Sequence, residues 1–251
     1  MPRELIHEII PVGWLQCNCS ILGDAETGEA IVLDPGDETD RIQEILTRHK
    51  LKVRAIVSTH AHIDHVGGLA TLHDATGAPI LMHAADLDLY RAMEMQAQWL
   101  GVAAPPIANV DDLLQEGAIV RWGRFQARVL HTPGHTPGSI SFYLPVEAGA
   151  SSANQEPANH DAAARNPSAA AGQNIVLPRP GRLLAGDTLF AGSIGRTDLW
   201  GGSLDAILNS IRGKLLALPD DTRVFPGHGP ATTIGHERES NPFLQPNFRS
   251  P

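Results

Sequence analysis

Only two cysteines occur in the 251 residues, Cys17 and Cys19, and their spacing suits neither a disulfide nor a zinc ribbon. Both are expected to be reduced and partly buried in a strand. No run approaches the ~20 apolar residues of a membrane span, so no membrane association is expected. The first residues, Met1 to Pro11, lack the basic segment, apolar run and small-residue cleavage site of a secretory signal. The expectation is a mature, cytoplasmic protein. Positive charge is also scarce: 19 Lys and Arg face 28 Asp and Glu, a formal net charge of -9. Without a local Lys/Arg cluster to offset that balance, a nucleic-acid backbone is not expected as the natural partner. A small anionic substrate remains compatible, because bound metal ions invert the local potential.

What the chain does have is histidine and aspartate in four short clusters. The first reads Thr59-His60-Ala61-His62-Ile63-Asp64-His65, after the apolar run Ala55-Ile56-Val57 and before Val66-Gly67-Gly68-Leu69. A strand therefore delivers the cluster to a loop that opens a helix near Val66. Side chains alternate along an extended segment, so His60, His62 and Asp64 are expected to project together, with His65 turned elsewhere. One peptide then addresses two neighbouring ions, and imidazole and carboxylate suit zinc and comparable cations. The positive end of the following helix helps keep the imidazoles neutral. The other clusters are Thr132-Pro133-Gly134-His135-Thr136-Pro137-Gly138-Ser139, Gly186-Asp187-Thr188 and Pro226-Gly227-His228-Gly229-Pro230. A lone histidine or aspartate in a loop is ordinarily structural or solvated. Here each follows an apolar strand-like run and is hemmed by Gly and Pro, the setting in which a scaffold fixes side-chain geometry.

At this length and 42% hydrophobic content, the chain has material for one substantial core. Strands are expected at 5–10, 19–22, 30–33, a run ending at 59, 80–82, 118–122, 125–130, 139–144, 182–185 and 223–225. Helices are expected at 39–49, 66–76, 86–100 and 204–216, with a loop at 103–106 and a tight hairpin at Gly123-Arg124. Strand runs with interspersed helices point to an α/β sandwich with helices on its outer faces. Between 146 and 180 the composition turns to Ala, Ser, Asn, Gln and Pro. That stretch is expected to be a flexible insertion, transiently helical around Ala162-Ala163-Ala164, and His160-Asp161 within it is read as solvated.

On these residues the chain resembles the metallo-β-lactamase superfamily, whose His-x-His-x-Asp-His motif stands here as His60 to His65. The resemblance runs from about residue 5 to 245. Within it the chain is similar to the short glyoxalase II proteins. The matching stretches are Gln16-Cys17-Asn18-Cys19-Ser20, Gly186 to Phe190 continuing through Gly195-Arg196-Thr197-Asp198, and the ending Gly227 to Leu244, which leaves no room for the helical domain of longer glyoxalase II enzymes. The resemblance implies an αββα four-layer sandwich over residues 1–251, with the insertion at 146–180. It implies that His60, His62 and His135 hold one divalent ion and that Asp64, His65 and His228 hold the other, with Asp187 bridging. Zinc is expected; iron and manganese accept the same donors.

The activity implied is hydrolysis of a glutathione thioester such as S-D-lactoylglutathione to a 2-hydroxy acid and glutathione, by hydroxide generated at the ions. Asp64 takes a catalytic role beyond ligation. Arg196 either engages a substrate carboxylate or pairs with Asp198. A glutathione persulfide dioxygenase with one iron held by His60, His135 and Asp187 is the alternative enzyme, and a non-catalytic metal-binding scaffold the alternative of another class. A monomer or small homo-oligomer is expected.

Overall fold

The computed structural model describes residues 4–145 and 180–248, so the expected insertion, with His160-Asp161 and Ala162 to Ala164, lies outside the described residues. The first sheet contains β1 (Leu5–Val12), β2 (Cys17–Asp24), β3 (Glu29–Leu33), β4 (Lys52–Val57), β5 (Ile80–His83) and β6 (Asp112–Leu114), side by side in that order. β1, β2 and β3 pair antiparallel; β3 to β6 run parallel. Parallel neighbours need crossovers. These are α1 (Thr39–Arg48), then α2 (Ile63–Val66) with α3 (Leu69–Thr76), then α4 (Leu87–Arg91) with α5 (Met93–Leu100).

The second half begins with the hairpin β7 (Ile119–Trp122) and β8 (Phe125–His131), turning at Gly123-Arg124 as expected, and continues with β9 (Ile140–Leu144) and β10 (Arg182–Gly186). A small ribbon of β11 (Leu189–Phe190) and β12 (Ser193–Ile194) follows, then α6 (Leu204–Ser210), β13 (Arg223–Pro226), β14 (Thr232–Thr233) and α7 (Ile234–Ser240). The second sheet has the order β14-β13-β10-β9-β8-β7.

The two-residue period of the strands sorts their side chains into three cores. From β3, Ala30 and Val32 pack with Ile42, Ile45 and Leu46 of α1 and Leu69 and Leu72 of α3. The alternating residues Ile31 and Leu33 point the other way and meet Val120, Trp122, Val129 and Phe142 of the second sheet. From β10, Leu184 joins that central core, while Leu183 and Ala185 turn outward onto Ile207, Ile211 and Ile234. Helix, sheet, sheet, helix is thus the layer order, the αββα architecture expected. Each fully buried aliphatic side chain contributes roughly 1.5–3 kcal/mol of transfer free energy.

Three expected helices differ in detail. The one expected to open at Val66 starts at Ile63 and breaks at Gly67-Gly68. The turn after β3 lies against α2 backbone to backbone: Gly68 N–H donates to Pro35 O at 2.8 Å, and a Cβ on Gly36 would sit 1.6 Å from Asp64 O. Glycine on both partners permits that approach. The segment expected over 86–100 is divided at Ala92 into α4 and α5, and α6 passes at Ile211–Leu215 into a π-helical turn. Among the described residues no helix is long and apolar enough to cross a membrane.

Candidate metal centre

β4, β8, β10 and β13 end at one edge of the sandwich, where backbone hydrogen bonds tie their loops together. Ile140 N–H donates to Thr59 O at 2.8 Å, Gly227 N–H to Gly186 O at 2.8 Å and Asn18 N–H to Gly227 O at 2.7 Å. The extended segment expected here is interrupted: β4 ends at Val57, the chain bends at Thr59 and His60, and His62 is extended (φ -74, ψ 146). The bend, not strand alternation, brings His60 and His62 to one centre. Asp64 lies in the first turn of α2, and helical curvature aims it at the same place.

His135, from the loop after β8, closes the first group. Its Nε2 lies 3.2 Å from His60 Nε2 and 2.9 Å from His62 Nδ1, and its Nδ1–H donates to the Arg196 carbonyl at 2.8 Å. That bond fixes the tautomer with a bare Nε2 facing the other rings. All three are buried. Burial holds His60 well below the usual imidazole range, reinforced by its histidine neighbours. His62 is pushed down to about 3 by burial, with His135 and His65 adding to the effect. Converging nitrogens at these separations suit one cation, since ligands ~2.0–2.1 Å from a tetrahedral ion are about 3.3 Å apart.

The second group gathers around Asp64. Its Oδ2 lies 3.1 Å from His228 Nε2 and 3.7 Å from His65 Nε2, and the two ring nitrogens are 3.2 Å apart. His228 Nδ1–H donates to Leu15 O at 3.1 Å, leaving Nε2 for the centre. Burial raises the Asp64 carboxyl, but the His65 and His228 rings outweigh it and hold the group below the usual carboxylate range. For His65, burial is opposed by Cys17, Asp187, Asp64 and Asp34, which together lift the ring well above its ordinary range. A cation entering here displaces that proton.

Asp187, just past β10, reaches both groups: Oδ2 is 3.6 Å from His135 Nε2 and 3.8 Å from His228 Nε2, and Oδ1 is 3.5 Å from His65 Nε2. Buried Oδ1 has no hydrogen-bond partner. An unpaired buried carboxylate oxygen is costly, and a cation between the two groups would satisfy it. Gly227 makes room: a Cβ there would lie 2.2 Å from Asp187 Oδ1 and 2.7 Å from His65 Cε1. All seven side chains singled out in the sequence therefore converge, with donors that fit two divalent ions.

Several residues that position them carry little signal in the sequence. Asp34, buried at the end of β3, accepts from Thr59 N–H and Thr59 Oγ1–H, both at 2.7 Å, and its Oδ2 lies 3.1 Å from His65 Nδ1. Asp86 accepts from Ala61 N–H at 3.0 Å, Thr136 Oγ1–H at 2.7 Å and Gly138 N–H at 2.6 Å. It thereby clamps the His60–His62 loop to the His135 loop. Burial lifts its carboxyl above the usual range despite those three donors. Gln96 of α5 accepts from Ile63 N–H and donates to Ala61 O, each at 3.0 Å. One acid in Asp34-Pro35-Gly36 reads as a turn, and one glutamine in a helix reads as surface. Cys17 and Cys19 are free and wholly buried in β2, more than expected. The Cys17 thiol, 3.4 Å from His65 Nδ1, is pushed up to about 12, mainly by burial.

A cavity of about 340 Å³ opens onto the centre, lined by His62, Asp64, His135, Asp187 and His228 and by Leu15, Trp99, Leu199 and Trp200. Arg196 lines it too, but its guanidinium is paired with Asp198 through two contacts of 2.8 Å. The Arg196 carbonyl accepts from His135 Nδ1–H.

The profile of the metallo-beta-lactamase superfamily matches residues 12–148 and 167–228. Over 244 residues the chain is 36% identical to the hydroxyacylglutathione hydrolase GloC of Haemophilus influenzae, covering 94% of this chain and 97% of that protein. Among solved structures, the di-iron-bound form of TTHA1623 is similar with a TM-score of 0.73 at 36% identity, over 94% of this chain and 100% of that one. The BLEG-1 B3 metallo-beta-lactamase is similar with a TM-score of 0.77 at 34% identity, over 95% of this chain and 99% of that one.

Proposed function

The chain belongs to the metallo-beta-lactamase superfamily, a superfamily of metal-dependent hydrolases, and from that premise we propose that it hydrolyses a glutathione thioester of the S-2-hydroxyacylglutathione type at a centre of two divalent ions. The observation that carries this reading is the carboxylate of Asp187 lying between two groups of three donors, within 3.5–3.8 Å of His65, His135 and His228. In this proposal His60, His62 and His135 would hold one ion and Asp64, His65 and His228 the other, with Asp187 within reach of both groups. The name of the Haemophilus influenzae relative supports the choice of substrate.

When bound, two divalent ions lower the pKa of water towards 7 and polarise an acyl carbonyl. The chain's own groups do the rest. Asp64 orients the attacking water and takes its proton on the carboxylate; the carbon–sulfur bond breaks, and the proton passes to the departing thiolate. One water is consumed, and one acid and one thiol are released. Asp34 and the Arg196 carbonyl hold the His65 and His135 rings in the tautomers the ligand set needs. Leu15, Trp99 and Trp200 line the cavity that opens onto these groups.

The test is metal analysis of the purified protein with parallel assays on S-D-lactoylglutathione, glutathione persulfide and a chromogenic β-lactam. Thioester turnover that depends on zinc, iron or manganese supports the reading. Its absence under every metal loading overturns it. Oxygen uptake with the persulfide alone would install the dioxygenase instead, and β-lactam opening alone would install a lactamase.

A further inference from the structure

The walls of the cavity have a different chemistry from its floor. Leu15 stands in the turn between β1 and β2, next to Trp14 of the adjoining cavity, Trp99 at the end of α5, and Leu199 and Trp200 in the loop before α6. Trp14 is 62% exposed, Trp99 58% and Leu15 38%. Trp99 and Trp200 meet edge to face with centroids 5.5 Å apart, and Trp200 in turn lies 6.5 Å from the His62 ring. Exposed apolar surface gathered around a polar floor marks a binding site. The turn that carries Trp14 and Leu15 is locked to the centre, because Leu15 O accepts from His228 Nδ1.

Cationic side chains are scarce in these walls. Among the described residues lining this cavity the only Lys or Arg is Arg196, whose guanidinium is spanned by Asp198. The adjoining cavity of about 240 Å³, which shares Leu15, Ile63 and Asp64, contains Trp14, Val102 and Asp37 and no Lys or Arg. Glutathione presents two carboxylates to whatever binds it, and uncompensated carboxylates gain little from apolar walls.

We propose that the wall of Leu15, Trp99 and Trp200 also receives an aromatic or extended apolar thiol arm, so that thioesters of apolar thiols are bound in preference to the glutathione thioester, which remains a substrate of the same centre. The inference rests on the thioesterase reading for its chemistry but not for its binding step, and the experiment separates the two. Three lactoyl thioesters share one acyl group and differ in the thiol: benzyl mercaptan, N-acetylcysteamine and glutathione. With metal-loaded protein, kcat/KM for the benzyl thioester is expected to exceed that of the other two by about tenfold, the scale of an aromatic contact with its buried area. The double variant W99A/W200A should lose that advantage, its kcat/KM for the benzyl thioester falling to the value it shows for the N-acetylcysteamine thioester.

Binding is read independently of catalysis and of metal, by isothermal titration calorimetry of metal-free protein with the benzyl thioether, in which a methylene replaces the carbonyl. Saturable binding at least about tenfold tighter than that of the matching glutathione thioether, and weakened about tenfold in W99A/W200A, supports the proposal even if no thioester is hydrolysed. Equal or tighter binding of the glutathione thioether overturns it, as does a W99A/W200A protein that folds and binds the benzyl thioether unchanged.

Discussion

Asp34 and His65 meet inside the protein, Oδ2 to Nδ1 at 3.1 Å, where the carboxylate holds the ring so that Nε2 faces Asp64, Asp187 and His228. Carboxylates behind metal-binding imidazoles typically account for 10- to 100-fold in affinity. Asp34→Asn keeps the size of the side chain and tolerates the left-handed backbone of this residue (φ 51), but removes the charge. Zinc titration of the metal-free variant should therefore show one of two binding steps weakened by about 10- to 100-fold, the step involving His65. Two unchanged steps would deny Asp34 this role.

Gly227→Ala tests the bridge by crowding it. The added methyl would lie 2.2 Å from Asp187 Oδ1, well inside van der Waals contact, so the carboxylate must swing away from His65. Metal stoichiometry should fall below that of the wild type and thioester turnover should drop by at least about tenfold, with circular dichroism unchanged. Full metal content and full turnover would mean that the position of Asp187 is not required.

Asp64→Asn separates a hydrolase from a scaffold that merely binds metal. The amide cannot accept the proton of the attacking water and is a weaker ligand beside His228, so turnover should fall by about two orders of magnitude or more, the range of a lost general base. A variant with wild-type kcat would remove Asp64 from the chemistry.

The contrast between Asp64 and Asp34 shows what the sequence makes legible. His60, His62, Asp64 and His65 announce themselves because an ordinary surface loop rarely carries four donors in six positions. His135, Asp187 and His228 gain weight from rigid Gly/Pro turns at strand ends, although nothing local says that they meet. Asp34 and Asp86 have no such density, and each earns its place through partners 25 to 52 residues away. The layers are legible for a similar reason: period-two alternation in runs such as Ala30 to Leu33 survives in the folded chain as opposite cores. β6, β11, β12, β14 and α7 are too short or too polar to show a period, and the break at Gly67-Gly68 follows from a backbone contact with Pro35 that no local pattern encodes.

The pair of buried Asp24 and half-buried Arg124, which pins the β7–β8 hairpin to the first sheet, should matter for stability alone. Asp24 is fully buried and accepts from Arg124 Nε at 2.9 Å and from Arg124 N–H at 2.9 Å. Arg124→Ala leaves that carboxylate without its half-buried cation, which costs about 2 kcal/mol, between the values for an exposed and a fully buried pair. Urea unfolding should show the loss, while kcat/KM on any thioester is unaffected. A change below about 0.5 kcal/mol would show that the pair behaves as an exposed one.

His7 supplies a pH signature distinct from the metal centre. Its ring lies in β1 against Phe225, 4.6 Å between centroids, with Nδ1 2.8 Å from Arg182 Nη1. Burial, then Arg182 and Arg223, push its pKa down from 6.5 to about 3. Between those values the unfolded chain binds a proton that the folded chain refuses, so this group's contribution to stability is complete above about pH 6.5 and is lost as the pH falls towards 3. The slope from one such group is at most about 1.4 kcal/mol per pH unit. His7→Gln keeps an acceptor for Arg182 and cannot titrate, so its stability should fall less than the wild type's between pH 7.5 and pH 5, by up to about 2 kcal/mol. Comparing the two proteins at each pH cancels the titration of His60, His62 and the other histidines common to both. Parallel stability curves for the two proteins would show that His7 is protonated in the folded state as readily as in the unfolded one.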